Sequence, residues 1–241
     1  MKKTEVKDAT YYQNKILKMF QDKAGKFSSA EIFDDWLEWS ISCIRLYHYG
    51  EIEHFISIRD YLSDKYDDTV SELFDNITNT LREGLLATES DILGVVFMRM
   101  HPKKNLGQFF TPQHICDFMT KLSVQSPEEI RKQIEENGGI AWSDPTCGAG
   151  AMLISVFKYA KKNGINTNKI LLHGKDIDKR CAHMAFLQLE LLGANGVVET
   201  GDTLLDTTSE VLVTTTQFVG RYGQEVLMEN IICYQMMLAN M

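Results

Sequence analysis

From Ile140 to Thr200 the sequence alternates between short apolar runs and segments of helical period, and this alternation restricts the fold more than any other feature of the chain. Ile140-Ala141-Trp142, Ile170-Leu171-Leu172-His173-Gly174 and Val197-Val198-Glu199-Thr200 read as strands. Between the first two lies a helix over 151–163, with Met152, Leu153, Val156, Phe157 and Ala160 turned inward and Gly164 as its stop. Between the second and third lies another, carrying Ala182, Ala185, Phe186 and Leu189 and ending at Gly193. Such repetition implies a parallel sheet with right-handed crossovers. Val211-Leu212-Val213-Thr214-Thr215 is a fourth strand candidate, and 222–240 reads as a terminal helix.

The first hundred residues have a different texture. Ser28 and Glu31 form a capping box, followed at helical spacing by Phe33, Trp36, Leu37, Ser40 and Ile44, with Gly50 as a stop. Val70, Leu73, Phe74, Ile77 and Leu81 make a second apolar stripe. Thr88 and Asp91 are spaced to open a third helix, with Ile92, Val96, Phe97 and Met100 on one face. His101 to Asn105 breaks the pattern and divides the chain into a helical domain, 1–105, and a second domain, 106–241. In the second domain Thr111 caps a helix with Pro112 at its first position and Ile115, Phe118, Met119 and Leu122 as its stripe. Ser126-Pro127-Glu128-Glu129 opens the next helix in the same way.

A parallel sheet binds ligands outside the carboxyl ends of its strands. Asp144-Pro145-Thr146-Cys147-Gly148-Ala149-Gly150 lies at such an end. Its glycines permit close backbone approach, and the helix beyond offers free N–H groups. A dinucleotide fingerprint would place a third glycine where Leu153 stands, and a P-loop would need Gly-Lys followed by Ser or Thr, which the chain lacks. Asp144 before the glycines would repel a phosphate and suits a cationic ligand, an amine or a sulfonium. The bland alternative is a tight strand-to-helix turn.

The net charge is −8, which argues against a surface coated in basic residues but leaves room for a local basic face. No apolar run approaches the ~18 residues that span a bilayer. Five scattered cysteines form no C-x-x-C pair, which points to a reducing cytoplasm. The six histidines have no metal-ligand spacing, so no metal site is expected.

Taken together, Asp144 to Leu153, Gly107-Gln108-Phe109-Phe110-Thr111-Pro112 upstream, Gly174-Lys175-Asp176-Ile177-Asp178 downstream and Gly201-Asp202-Thr203-Leu204 beyond resemble the motifs of N6-adenine DNA methyltransferases. The chain is most similar to the modification subunit of type I restriction–modification systems. The spacing fits, with 32 residues from Asp144 to Asp176 and 26 from there to Asp202. The resemblance implies an α/β fold, a Rossmann-like S-adenosylmethionine-dependent methyltransferase half with an incomplete sheet, preceded by an all-α domain. It implies S-adenosylmethionine as cofactor, DNA as substrate and a specificity or partner subunit, with no membrane. By the same resemblance Phe109, Phe110 and Thr111 line the cofactor pocket. Asp144 and the backbone of Gly148 and Gly150 hold the methionine moiety, and Thr146 belongs to the same cofactor-binding set. Asp176 accepts from the ribose hydroxyls, with Asp178 as the alternative. Asp202 accepts from the adenine exocyclic amine, and Ile177 and Thr203 complete the cofactor-binding set.

One family element is missing. The fourth strand should end in Asn-Pro-Pro and an aromatic, which grip and stack on the flipped adenine. This chain has Thr215-Thr216-Gln217-Phe218 there, so Thr215 and Phe218 are the candidates for that role. Three functions stay open: an adenine methyltransferase with a divergent loop or separate recognition subunit, an inactive cofactor-binding module for regulation or assembly, and a helical interaction protein on a Rossmann-like scaffold.

Overall fold

A computed structural model describes residues 7–101 and 110–222. Five helices come first: α1 (Ala9–Lys23), α2 (Ser29–Tyr49), α3 (Ile52–Lys65), α4 (Val70–Thr88) and α5 (Leu93–Met100). The expected Ser28 capping box starts α2, and Gly50, with φ of 65°, stops it. Thr88 ends α4 instead of opening the next helix. Asp91, one residue ahead of the α5 N-cap Ile92, instead steadies that first turn, its carboxylate accepting from Gly94 N at 2.8 Å. α1 and α3 were not anticipated.

The second part runs α6 (Gln113–Ser123), α7 (Pro127–Asn137), β1 (Ile140–Asp144), α8 (Ala151–Lys162), β2 (Ile170–Asp176), α9 (Lys179–Leu192), β3 (Gly196–Thr200), β4 (Glu210–Val213) and α10 (Thr215–Tyr222). Ser126 caps α7 as expected. α6 starts one residue later than expected. Pro112 stands at its N-cap, and no side chain caps it. The sheet order is β1-β2-β3-β4. β1, β2 and β3 are parallel, and right-handed crossovers place α8 and α9 on the same face.

β4 runs antiparallel to β3, with Val197 opposite Val213. Only residues 201–209 connect the two strands and no helix intervenes, too short a path for the crossover a parallel neighbour requires. Consequently β4 ends, and α10 begins, at the amino ends of the parallel strands.

Ile170, Leu172, Val198 and Leu212 are buried beneath the helices. The opposite sheet face is partly polar. Ser143 Oγ lies 2.8 Å from His173 Nδ1, and His173 Nε2 lies 3.2 Å from Glu199 Oε1. This inside–outside alternation suits a sheet that faces water on one side. The helical and sheet parts share one apolar core: α9 packs beneath α2, α4 and α5, and Phe33, Trp36, Ile92 and Phe97 belong to the same buried cluster as Leu153, Phe186 and Leu189.

Another correction concerns α6. Its buried side carries Cys116 and Thr120, packed on α8, while Ile115 is 39%, Phe118 59%, Met119 44% and Leu122 71% exposed. The apolar stripe is present as read, but no described element covers it. Among the described residues no helix is long and apolar enough to cross a membrane.

Candidate functional site

The glycine loop follows β1 directly. Gly148 and Gly150 adopt φ of 53° and 89°, the left-handed region that side chains resist. A Cβ on Gly148 would stand 2.8 Å from the Phe110 ring, and one on Gly150 3.1 Å from Ala185. The two bare positions thus let the loop lie flat between the aromatic ring and α9. Cys147 N donates to Lys175 O at 2.9 Å, and Gly148 N donates to Asp176 Oδ2 at 2.8 Å. These bonds fasten the loop to the end of β2.

Between them opens a cleft of about 280 Å³. Phe110, Thr111, Asp144, Thr146, Gly148 and Asp176 all line it, with Cys116, Cys147, Cys181 and Met152 filling the floor and sides. Six expected residues from three motifs, up to 66 positions apart in sequence, therefore meet at one place. Phe109, Gly107 and Gln108 lie outside the described residues.

The cleft is acidic. Burial raises the Asp144 carboxyl above its usual range, against the opposing bond from Thr146 N at 3.1 Å. Burial likewise raises Asp176, opposed by bonds from Asp178 N and Gly148 N and reinforced by the charges of Asp178 and Asp144. Two desolvated carboxylates in one cleft favour a cation between them. Cys147 is pushed well up, and Cys116 up to about 11, chiefly by burial, so both remain neutral thiols.

The other candidates sit around or away from this cleft. Ile177 is 68% exposed, next to Asp176. Asp178 caps α9 through Arg180 N and pairs with the Arg180 guanidinium at 3.0 Å, so its carboxylate is engaged in structure. Asp202 caps a turn, its Oδ1 accepting from Leu204 N at 2.8 Å and Leu205 N at 3.1 Å. Thr203 Oγ1 donates to Pro145 O at 2.5 Å, tying this turn to the glycine loop.

Thr215 and Phe218 are not brought to the cleft. Thr214 N bonds Gly196 O, at the start of β3 and the far end of the sheet. Thr215 is held by Glu190, through its backbone N at 2.6 Å and its hydroxyl, and His48 Nε2 lies 2.8 Å from that hydroxyl. The buried Phe218 ring stacks on His48 with centroids 5.0 Å apart. This cluster anchors α10 to α2 and α9.

A buried polar hub behind the glycine loop went unread in the sequence. Gln188 is fully buried on α9. Its amide donates to Ala149 O at 2.8 Å and Asp91 Oδ1 at 2.9 Å, and its oxygen accepts from Ile92 N at 2.8 Å and Leu93 N at 3.1 Å. Asp91 N in turn donates to Gln113 Oε1 at 2.7 Å. Gln113 Nε2 reaches Asp117 at 3.0 Å and Ser155 at 2.6 Å, and Lys158 closes on Asp117 at 2.9 Å. The hub joins α5, α6 and α8 to the loop itself. A glutamine inside the apolar run Leu187-Gln188-Leu189 was its only sequence signal.

A model of the N-6 DNA methylase family matches residues 90–232, more than half of the chain. The MjaIX methylase subunit of a type I restriction enzyme from Methanocaldococcus jannaschii is 28% identical over 100 residues, 42% of this chain and 16% of that protein. The type II methyltransferase M.BanIII from Aneurinibacillus aneurinilyticus is 31% identical over 105 residues, 43% of this chain and 17% of that protein. The matched stretch is about a sixth of each relative's length.

Proposed function

This chain belongs to the N-6 DNA methylase family, and on that premise we propose that its glycine-loop cleft binds S-adenosylmethionine and serves methyl transfer to the adenine amine of DNA. One observation carries the reading: Phe110, Thr111, Asp144, Thr146, Gly148 and Asp176 line one acidic cleft at the carboxyl ends of β1 and β2. The donor set fits the cofactor. A cationic sulfonium and α-amino group suit the negative potential of Asp144 and Asp176, and the bare Gly148 lets the Phe110 ring lie against the loop that lines the cleft. Each Asp176 oxygen accepts one backbone N–H and keeps a lone pair for a ribose hydroxyl. Ile177 and the Asp202–Thr203 turn flank the adenine end. When bound, the cofactor supplies an electrophilic methyl group. The residues of this chain orient it, and Phe110 and Thr111 exclude water from one side.

The position of Thr215 and Phe218 at the opposite end of the sheet favours a division of labour. We assign the gripping of the target adenine to a partner subunit or a further stretch of polypeptide, and DNA sequence recognition with it. On its own the chain is then a cofactor-binding module that transfers methyl groups poorly or not at all. The test is calorimetric titration with S-adenosylmethionine and with NADH, followed by incubation with labelled S-adenosylmethionine and duplex DNA at low salt. Binding of the first ligand alone is expected, with little N6-methyladenine formed. Absence of S-adenosylmethionine binding would overturn the cofactor reading, and multiple turnovers by the isolated chain would overturn the division of labour.

A further inference from the structure

The first turn of α9 holds two cations and no acid, Lys179 and Arg180, where a helix N-terminus favours negative charge. Lys179 is answered by Glu38 of α2 at 3.2 Å. Arg180 makes a different set of contacts. Its Nε and Nη2 fork onto the two oxygens of Asp178, at 3.3 and 3.0 Å, a bidentate charge-assisted pair. Its Nη1 lies 3.8 Å from Asp34 Oδ2 on α2. The guanidinium stands 5.1 Å from the centre of the Phe97 ring. Phe97 in turn meets Phe110, which lines the cleft, edge to face at 5.9 Å. Asp178 N donates to Asp176 Oδ1 at 2.9 Å. One guanidinium therefore touches the supports of both Asp176 and Phe110.

We infer that Arg180 is a positioning residue for the cofactor: by holding Asp178 and bracing Phe97, it keeps the Asp176 carboxylate charged and set for the ribose hydroxyls. The inference rests on the reading of Asp176 as the cofactor's acceptor. Near Asp176 stand Asp144 and Cys147 of the glycine loop, and Asp178 and Cys181 at the start of α9. Lys175, its neighbour in β2, directs its ammonium to Glu199 and Thr208 instead. Burial, then the charges of Asp178 and Asp144, favour the protonated form of Asp176. Arg180 offsets the Asp178 part of that repulsion. Behind it Asp34 faces the buried His101, whose Nε2 lies 3.4 Å from Asp34 Oδ1. Ionisation matters because a carboxylate only accepts, whereas its protonated form gives up an acceptor site.

Carbon-13 NMR of the aspartate side-chain carboxyls in the full chain tests this without ligand. Asp176 is identified by the resonance lost in Asp176→Asn, and its titration is followed in the wild type, Arg180→Met and Arg180→Lys. Methionine keeps an unbranched apolar chain and removes the charge; lysine restores the charge. Asp176 should release its proton at a higher pH in Arg180→Met and return toward the wild-type midpoint in Arg180→Lys. On acidification, Arg180→Met should lose S-adenosylmethionine affinity at a higher pH than the wild type. A lowered melting midpoint with an unmoved Asp176 titration would make Arg180 a structural brace and overturn the inference. Wild-type protein that binds no S-adenosylmethionine would overturn the cofactor reading itself, and the two failures are told apart because the Asp176 titration needs no ligand.

Discussion

Replacing Gln188 by Leu should damage this protein more than its conservative volume suggests. The side chain is fully buried and makes four hydrogen bonds. Leucine fills the same space but leaves Ile92 N, Leu93 N and Ala149 O buried without their partners, and Asp91 without its amide donor. Each orphaned group costs about 1–3 kcal/mol. Taking the low end for the three backbone groups, and assuming some rearrangement, the loss is about 3 kcal/mol. In a chain of this size each kcal/mol lowers the midpoint by roughly 2–4 °C, so a fall of about 6–12 °C is expected. Urea unfolding followed by circular dichroism measures the free energy, and a thermal scan the midpoint. Gln188→Glu is the control: it keeps the acceptor for Ile92 and Leu93 but sets a second carboxylate against Asp91, so it too should destabilise. If Gln188→Leu lost less than about 1 kcal/mol, the hub would not be what binds the helical part to the glycine loop.

Three further outcomes follow from the same geometry. Burial raises Asp91 from its usual 3.8 to about 6, with bonds from Gln188 and Gly94 opposing. The folded state therefore holds this proton more tightly than the unfolded chain, and stability from this group falls as pH rises from about 4 to 6, by up to about 3 kcal/mol. Asp91→Asn should flatten that slope and raise stability at pH 7.5, as urea unfolding at pH 4.5 and 7.5 would show. Gly148→Ala adds left-handed strain of roughly 1–2 kcal/mol to a collision with Phe110, and should lower both the melting midpoint and cofactor affinity; a wild-type calorimetric isotherm would contradict the packing described. Phe218→Ala should cost about 3–5 kcal/mol, measured by urea unfolding, yet leave cofactor affinity unchanged in the folded protein, since the ring lies at the far end of the sheet.

Much of the site could be read in advance because its parts are local. The Asp144–Gly150 loop, Thr111 and Asp176 are short-range signatures whose spacing puts them at strand ends, and the parallel order of β1 to β3 brings strand ends together. What could not be read depends on long-range choices. The reversal of β4 follows from a connection too short for a helix, and it moved Thr215 and Phe218 away from the cleft. The exposure of Phe118 and Leu122 was invisible because an apolar stripe looks the same in sequence whether covered or bare. The Gln188 hub involves partners up to 97 residues apart, and no periodicity announces them.

The central claim is that Asp176 holds the cofactor in the acidic cleft, and the most direct measurement is the dissociation constant for S-adenosylmethionine of the wild-type chain against Asp176→Asn. Asparagine keeps one oxygen for Gly148 N but turns its amide donor toward Asp178 N, so the comparison is made on protein whose circular dichroism spectrum and melting midpoint match the wild type. Losing a charged acceptor costs about 1.5–3 kcal/mol, which predicts binding weakened roughly tenfold or more. An unchanged constant in the folded variant would contradict the assignment of this cleft.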